Sequence, residues 1–249
     1  MTNLKSFNIF LESVNLSKYR NSYQKIKLVE MDLDKDIQAL YHLYKIYWNE
    51  KKFISFDEFY KEYLNDKTNE LENFRKKIDM CKTCFYKGLP ARIYRTWASI
   101  VTQIHGGYVA EQIFGNGTIS MSEKLDRSGI DFKIKYKNKE LNIQVKKISK
   151  SREVRVDKKS RKKVDILNIY YFVPNKKDID NKFLKDGITF KKTYNDFNNT
   201  YIKKDYLKLL DNGFVVFSEG IFKEMKDNYS VLVDKGFDTF SQLLFKDNN

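Results

Sequence analysis

Between residues 128 and 148 the chain reads SGIDFKIKYKNKELNIQVKKI, and its apolar residues recur at every second position. That alternation marks strands with one buried face, and two such runs around a short polar link predict a hairpin. Ile130, Phe132, Ile134 and Tyr136 share one face of the first strand, with Asp131, Lys133 and Lys135 on the other. Leu141, Ile143 and Val145 share a face of the second, with Asn142, Gln144 and Lys146 opposite. Antiparallel pairing that joins the apolar faces also joins the polar ones, because a slip of one residue flips every side chain. Asp131 is therefore expected across from Gln144 or Lys146. An acid, an amide oxygen and a lysine converge on one patch of sheet.

Spacings of three and four govern the first ninety residues, where helices are expected over 9–14, 36–48, 56–64 and 70–86. Ser55 before Glu58 has the spacing of a capping box opening the third of these. From 91 to 114 the pattern predicts one long helix whose stripe is Tyr94, Trp97, Val101, Ile104, Tyr108 and Glu111. Glu111 is the odd member, since a carboxylate on a buried face needs a metal, a cation or water; otherwise it reaches solvent at the helix end. Gly106 and Gly107 inside the stripe predict a kink or a close backbone approach. Residues 115–127 read as a polar linker in which Asp126 is a solvated loop residue or an accessory acid. Beyond the hairpin, strands are expected over 167–173 and 213–218, and helices over 203–210, 221–226 and 237–245. Residues 175–199 read as a loop. The order of elements predicts an α/β fold: a helical N-terminal region over 1–90 and a sheet-containing core over 91–249.

Charge changes the picture. A net charge of +14 with a pI near 9.4 points to a polyanionic partner, most simply nucleic acid, although lysine usage in an AT-rich genome also raises it. The densest run, residues 146–163, holds ten Lys or Arg against Glu153 and Asp157, and it continues directly from the second hairpin strand. Lys147, Lys150, Lys158, Lys159, Arg161 and Lys162 are placed to grip backbone phosphates. Arg152 and Arg155 are candidates for guanine edges. No apolar run is long enough to span a bilayer and the start lacks a signal peptide, so a soluble, intracellular protein is expected. Two cysteines, Cys81 and Cys84, argue against a disulfide scaffold. As a CxxC pair they offer half a zinc site that only His42 and His105 could complete, a weak signal on a helical pattern.

The acid, amide and lysine of the hairpin suit a metal-dependent phosphodiesterase, in which a carboxylate holds Mg²⁺ and the lysine steadies the nucleophile or the developing charge. The order Asp131, then Gln144-x-Lys146, resembles the PD-(D/E)XK nuclease superfamily. More specifically, FLESVNLSKY, YQKIKLVEMDLDKDI, LYKIYWNE, ARIYRTWASIVTQIHGGY, SGIDF and NIQVKKIS resemble, in that order, the TaqI group of type II restriction endonucleases. The likeness covers residues 10–149 and fades in the C-terminal third.

That resemblance implies a restriction-endonuclease-like core, a mixed central sheet flanked by helices, and Mg²⁺-dependent cleavage of both strands of duplex DNA at a short palindrome of the TCGA kind. It carries the catalytic acid onto Asp131 and the catalytic lysine onto Lys146. Gln144 falls where most of the superfamily has a carboxylate. An amide offers a carbonyl oxygen without negative charge, so Mg²⁺ binding would await a DNA phosphate, or Glu111 would supply the missing charge. A palindromic target implies a homodimer, and cleavage in the cytoplasm implies a companion DNA methyltransferase. Two alternatives share these features: a repair, nicking or junction-resolving nuclease of the superfamily, and an inactive DNA-binding module in which Gln144 marks a degenerate site.

Overall fold

The computed structural model describes residues 2–23, 26, 33–148, 166–172 and 205–235. The chain divides into two units, Met1–Ile104 and His105–Asn249, with the division inside one long helix.

The first unit is helical. It contains α1 (Asn3–Ser13), α2 (Leu16–Tyr23), a 3-10 turn (Lys35–Ile37), and α3 (Leu40–Leu43), which widens into a π-helical turn (Tyr44–Asn49). Then follow α4 (Phe56–Lys77) and the start of α5 (Lys82–Phe114). The capping box forms as expected: the Glu58 N–H donates to Ser55 Oγ at 3.3 Å, and the Ser55 N–H donates to the Glu58 carboxylate at 2.9 Å. The two helices expected over 56–64 and 70–86 are instead one helix and a break. The polar stretch between them stays helical on an exposed face, and the chain turns after Lys77, where Asp79 takes φ 49°. Trp97, Tyr47, Phe56, Phe59 and Tyr63 are fully buried together with Phe7 and Leu11. Their polar tips are satisfied inside the core: the Trp97 indole donates to the Tyr47 hydroxyl at 2.8 Å, which donates to the Ile54 carbonyl at 2.6 Å.

The second unit is built on a four-stranded sheet in the order β1 (Ile119–Ser120), β2 (Phe132–Tyr136), β3 (Lys139–Ile148), β4 (Ile166–Phe172). The first two pairings are antiparallel and the last is parallel, so the sheet is mixed. The hairpin link is a two-residue turn with Lys137 at φ 49° and Asn138 at φ 60°, the doubly left-handed geometry that matches strand twist. Phe132, Ile134, Leu141, Ile143 and Val145 are buried, on the apolar face read from the alternation, and Leu167 and Ile169 are buried in the strand expected over 167–173. Residues 115–127 are not a plain linker: they hold β1 and the short helix α6 (Glu123–Arg127).

The helix expected over 203–210 is replaced by a strand. β5 (Leu207–Leu209) pairs antiparallel with β6 (Val215–Phe217). Asp205, at φ 52°, would end any helix there, and Ser218 N–H donates to the Tyr206 carbonyl at 2.9 Å, extending the pairing. α7 (Glu219–Asp227) and α8 (Tyr229–Lys235) follow. The Tyr229 hydroxyl lies 3.0 Å from the carbonyl oxygens of both Ile134 and Lys139, tying α8 across the hairpin. The expected helix over 237–245 and the loop over 175–199 lie outside the described residues. Among the described residues, no helix is long and apolar enough to cross a membrane.

α5 begins at Lys82 rather than after Pro90, which it carries inside. Its glycine pair resolves as a close approach: a Cβ on Gly106 would stand 3.2 Å from the Phe217 ring and 3.8 Å from that of Phe132. The Gly106→Leu variant should lose about 1–3 kcal/mol to overpacking at this contact, despite the better helix propensity of leucine. Urea unfolding followed by circular dichroism checks it; an unchanged midpoint would mean the contact yields freely.

Candidate active site

The site begins with a helix end. Ser122 caps α6, its hydroxyl accepting from the Leu125 N–H at 3.2 Å. At the other end the Gly129 N–H donates to the Asp126 carbonyl at 2.8 Å and the Ile130 N–H to the Leu125 carbonyl at 3.0 Å. Those two bonds are a Schellman closure, and it requires the left-handed conformation that Gly129 supplies at φ 84°. The chain leaves this closure directly into Asp131 and β2. Asp126 and Asp131 are thereby held at the two ends of one tight reversal.

Asp131 is 5% exposed. Its N–H donates to the Ile143 carbonyl at 2.9 Å, while its carboxylate accepts from the Val145 N–H at 2.5 Å. The side chain thus stands where the backbone of β2 no longer reaches β3, satisfying a buried donor that would otherwise be orphaned. Burial pushes this carboxyl up to about 7. The Val145 N–H pulls it back, the Asp126 charge raises it further, and the Lys146 ammonium lowers it.

The partners expected for Asp131 are Gln144 and Lys146. The β2–β3 pairing ends at Phe132 and Ile143, and Asp131, just outside it, bonds to β3 at the Ile143 carbonyl and the Val145 N–H, on either side of Gln144. The amide nitrogen of Gln144 lies 3.7 Å from where a Cβ on Gly129 would be, so this side chain lies over the Schellman turn. Lys146 is the next residue on the same face of β3, near enough for its charge to act on Asp131. On its other side β3 pairs with β4, which sets Asn168 beside Gln144 and Tyr170 beside Lys146. Amide and lysine therefore sit on a strand paired on both sides, and the acid sits just before the strand that pairs with it.

Glu111 behaves differently. It lies in the last turn of α5, half-buried, and its carboxylate accepts from the Gly117 N–H at 3.0 Å, closing the turn that leads into β1. Among the described residues, the charges that act on Asp131 are those of Asp126 and Lys146. Asp126, read as a solvated loop residue or an accessory acid, is a half-buried helical residue whose charge acts on Asp131. Its spacing of five from Asp131 with Gly129 between them was the available signal, because a glycine just past a short helix brings its last turn back onto the following strand. Lys147 is exposed at the end of β3. Lys150, Arg152, Arg155, Lys158, Lys159, Arg161 and Lys162 lie outside the described residues.

No set of three or more His, Cys, Asp or Glu that could hold a metal ion occurs among the described residues. The residues that could hold a hard cation here are Asp131, Asp126 whose charge acts on it, and the Gln144 amide over the Schellman turn, with water and a substrate phosphate filling the remaining positions. The zinc set that Cys81 and Cys84 could have begun does not form among the described residues. Cys81 and Cys84 are joined in a disulfide, and His42 Nε2 lies 2.8 Å from the Asp66 carboxylate. His105 is buried and held near 3 by desolvation, hence neutral.

Residues 4–229 match the family model for the TaqI restriction endonuclease. The chain is 29% identical over 232 residues to the type II restriction enzyme TaqI of Thermus aquaticus, covering 90% of this chain and 86% of that protein. It is 30% identical over 237 residues to the type II restriction enzyme TthHB8I of Thermus thermophilus, covering 90% of this chain and 87% of that one. No solved structure matches the chain.

The raised carboxyl of Asp131 has a consequence for stability. An unfolded aspartate titrates near about 3.9, whereas the folded carboxyl holds its proton up to about 7. Below the lower value both states are protonated and the group is neutral towards folding. As pH rises from there to about 7 the unfolded state ionises first, so the folded state loses on the order of 4 kcal/mol, and no more is lost above that. Asp131→Asn keeps an acceptor for the Val145 N–H and removes the charge. With a chelator present it should therefore raise the urea midpoint at pH 8, and the gain should shrink towards pH 4. A variant less stable than the parent at pH 8 would contradict the assignment.

Proposed function

This chain belongs to the TaqI restriction endonuclease family, and on that premise we propose that it cuts both strands of DNA at a short TCGA-like palindrome with Mg²⁺. Members of the family are type II restriction endonucleases, so the chain is a site-specific deoxyribonuclease. The reading of mechanism rests above all on one observation: a carboxylate 5% exposed, with a lysine and a second acid near enough for their charges to move its titration.

In this reading Asp131 offers its carboxylate to Mg²⁺ and the Gln144 carbonyl contributes a neutral oxygen from the facing strand position. The second acid is assigned to Asp126 in preference to Glu111, because Asp126 acts on Asp131 while the Glu111 carboxylate is bonded to the Gly117 N–H. When bound, Mg²⁺ polarises the scissile phosphate and makes an attached water more acidic. Lys146 orients the attacking water and offsets the negative charge that builds on the phosphate. The Asp131–Val145 bond keeps the carboxylate from swinging away as substrate arrives, and the strands on either side of β3 hold Gln144 and Lys146 in step with it. The core would then be restriction-endonuclease-like, and two copies of the chain would meet the two halves of the palindrome. Lys147, with the basic run that follows it, would hold the phosphate backbone, and Arg152 and Arg155 would read guanine edges. A companion methyltransferase of matching specificity would protect host DNA in the cytoplasm.

Plasmid digested with Mg²⁺ should give discrete fragments whose sequenced ends share one short palindrome; a smear or a nicked circle would point to another nuclease class. Lys146→Ala should slow cleavage roughly a hundred- to ten-thousand-fold, and Asp131→Ala at least as much, while both variants still retard the same duplex in a gel. Undiminished cleavage in the two variants would remove the site assignment.

A further inference from the structure

The turn between α4 and α5 carries a sulfur pair that the nuclease reading does not use. A disulfide joins Cys81 to Cys84, and both residues are exposed. Cys81 occupies the position just before the first residue of α5, a helix of 33 residues with no acid in its first turn. The Cys84 N–H donates to Cys81 Sγ at 3.1 Å, and the Phe85 N–H to the Cys81 carbonyl at 2.9 Å. Cys81 Sγ therefore caps the helix as a serine hydroxyl would. The approach to it is fixed from the side: Arg75 is clamped by the Glu72 carboxylate and donates to the Met80 carbonyl at 2.6 Å.

We propose that Cys81 and Cys84 form a reversible dithiol–disulfide pair that exchanges with low-molecular-weight thiols and disulfides of the glutathione kind. Cys81 is the attacking sulfur. A thiolate at that position accepts a helix N–H and meets the positive end of the helix, both of which favour the ionised sulfur. Cys84 lies one turn inside the helix with its sulfur poised to resolve the intermediate. In the oxidising direction the Cys81 thiolate attacks one sulfur of glutathione disulfide, forming a mixed disulfide and releasing one glutathione thiolate. Cys84 then loses its proton and attacks the Cys81 sulfur, and the second glutathione leaves as its thiolate. Two electrons pass from the cysteine pair to glutathione disulfide, and two protons leave the cysteines. A metal-ligand role has no support in the geometry: no third ligand set is assembled among the described residues, and His42 Nε2 is taken by Asp66.

The test uses the full chain, equilibrated in glutathione buffers of varied ratio, quenched with a maleimide and weighed by intact mass. Both thiols should be labelled in reduced glutathione and neither in oxidised glutathione, with the protein remaining free of intermolecular disulfides. Cys84→Ser should accumulate a glutathione adduct on Cys81 roughly tenfold more than Cys81→Ser does on Cys84. Three results would each overturn the proposal: thiols that stay labelled in oxidised glutathione, equal adducts in the two variants, or thiols unmasked by a chelator but not by a reductant. None of these outcomes depends on whether the chain cuts DNA.

Discussion

A carboxylate buried where two strands part is the constraint on which the rest of the site depends. β2 begins at Phe132, and beyond it the Val145 N–H of β3 donates to the Asp131 side chain instead of to strand backbone. The bond therefore serves as part of the sheet as well as holding the carboxylate. It places a charge in a poorly solvated position and fixes its direction. Both effects make the group costly to the isolated fold and useful to a cation that can reach it.

The elements around that bond restrict each other. The Schellman closure at Gly129 leaves no freedom between Asp126 and Asp131, so the second acid arrives with the first rather than through an independent loop. Gln144 lies over that closure, and Lys146 follows it one pleat along the same face. β3 is paired on both sides, antiparallel to β2 and parallel to β4, which gives the lysine-bearing strand little room to slide. Sites on regular elements with satisfied neighbours keep their geometry better than sites on loops. Placing an amide rather than a third acid at position 144 also limits the like-charge repulsion that Asp131 already feels from Asp126.

The helical unit is held by a different logic. Its core is aromatic, and the polar tips of those rings are bonded to one another and to backbone carbonyls, as in the run from Trp97 through Tyr47 to Ile54. Large rings with satisfied hydroxyls fill volume at low entropic cost per contact, so short helices such as α3 and its π-helical continuation can persist inside it.

Period-two alternation determined the hairpin and its two faces, because each strand residue reports only which side of the pleat it occupies. Local chemistry was equally readable in the Ser55–Glu58 capping box and in the apolar stripe of α5, since both depend on residues within one or two turns. The stripe did not show what Glu111 bonds to, because helix spacing says nothing of the turn that follows. Placing Asp131 beside Gln144 needed its bonds to Ile143 and Val145, because the polar face alone leaves the register open by two residues. The strand at Leu207–Leu209 was hidden because its hydrogen-bond partner is β6, and local spacing looked helical. Asp126 was legible as an accessory acid but the Schellman turn that carries it to Asp131 was not, and the Cys81–Cys84 bond was not legible at all. Which charge or sulfur meets which depends on how the backbone reverses and packs, and that is settled by contacts between elements, whereas periodicity records only the residues of one element.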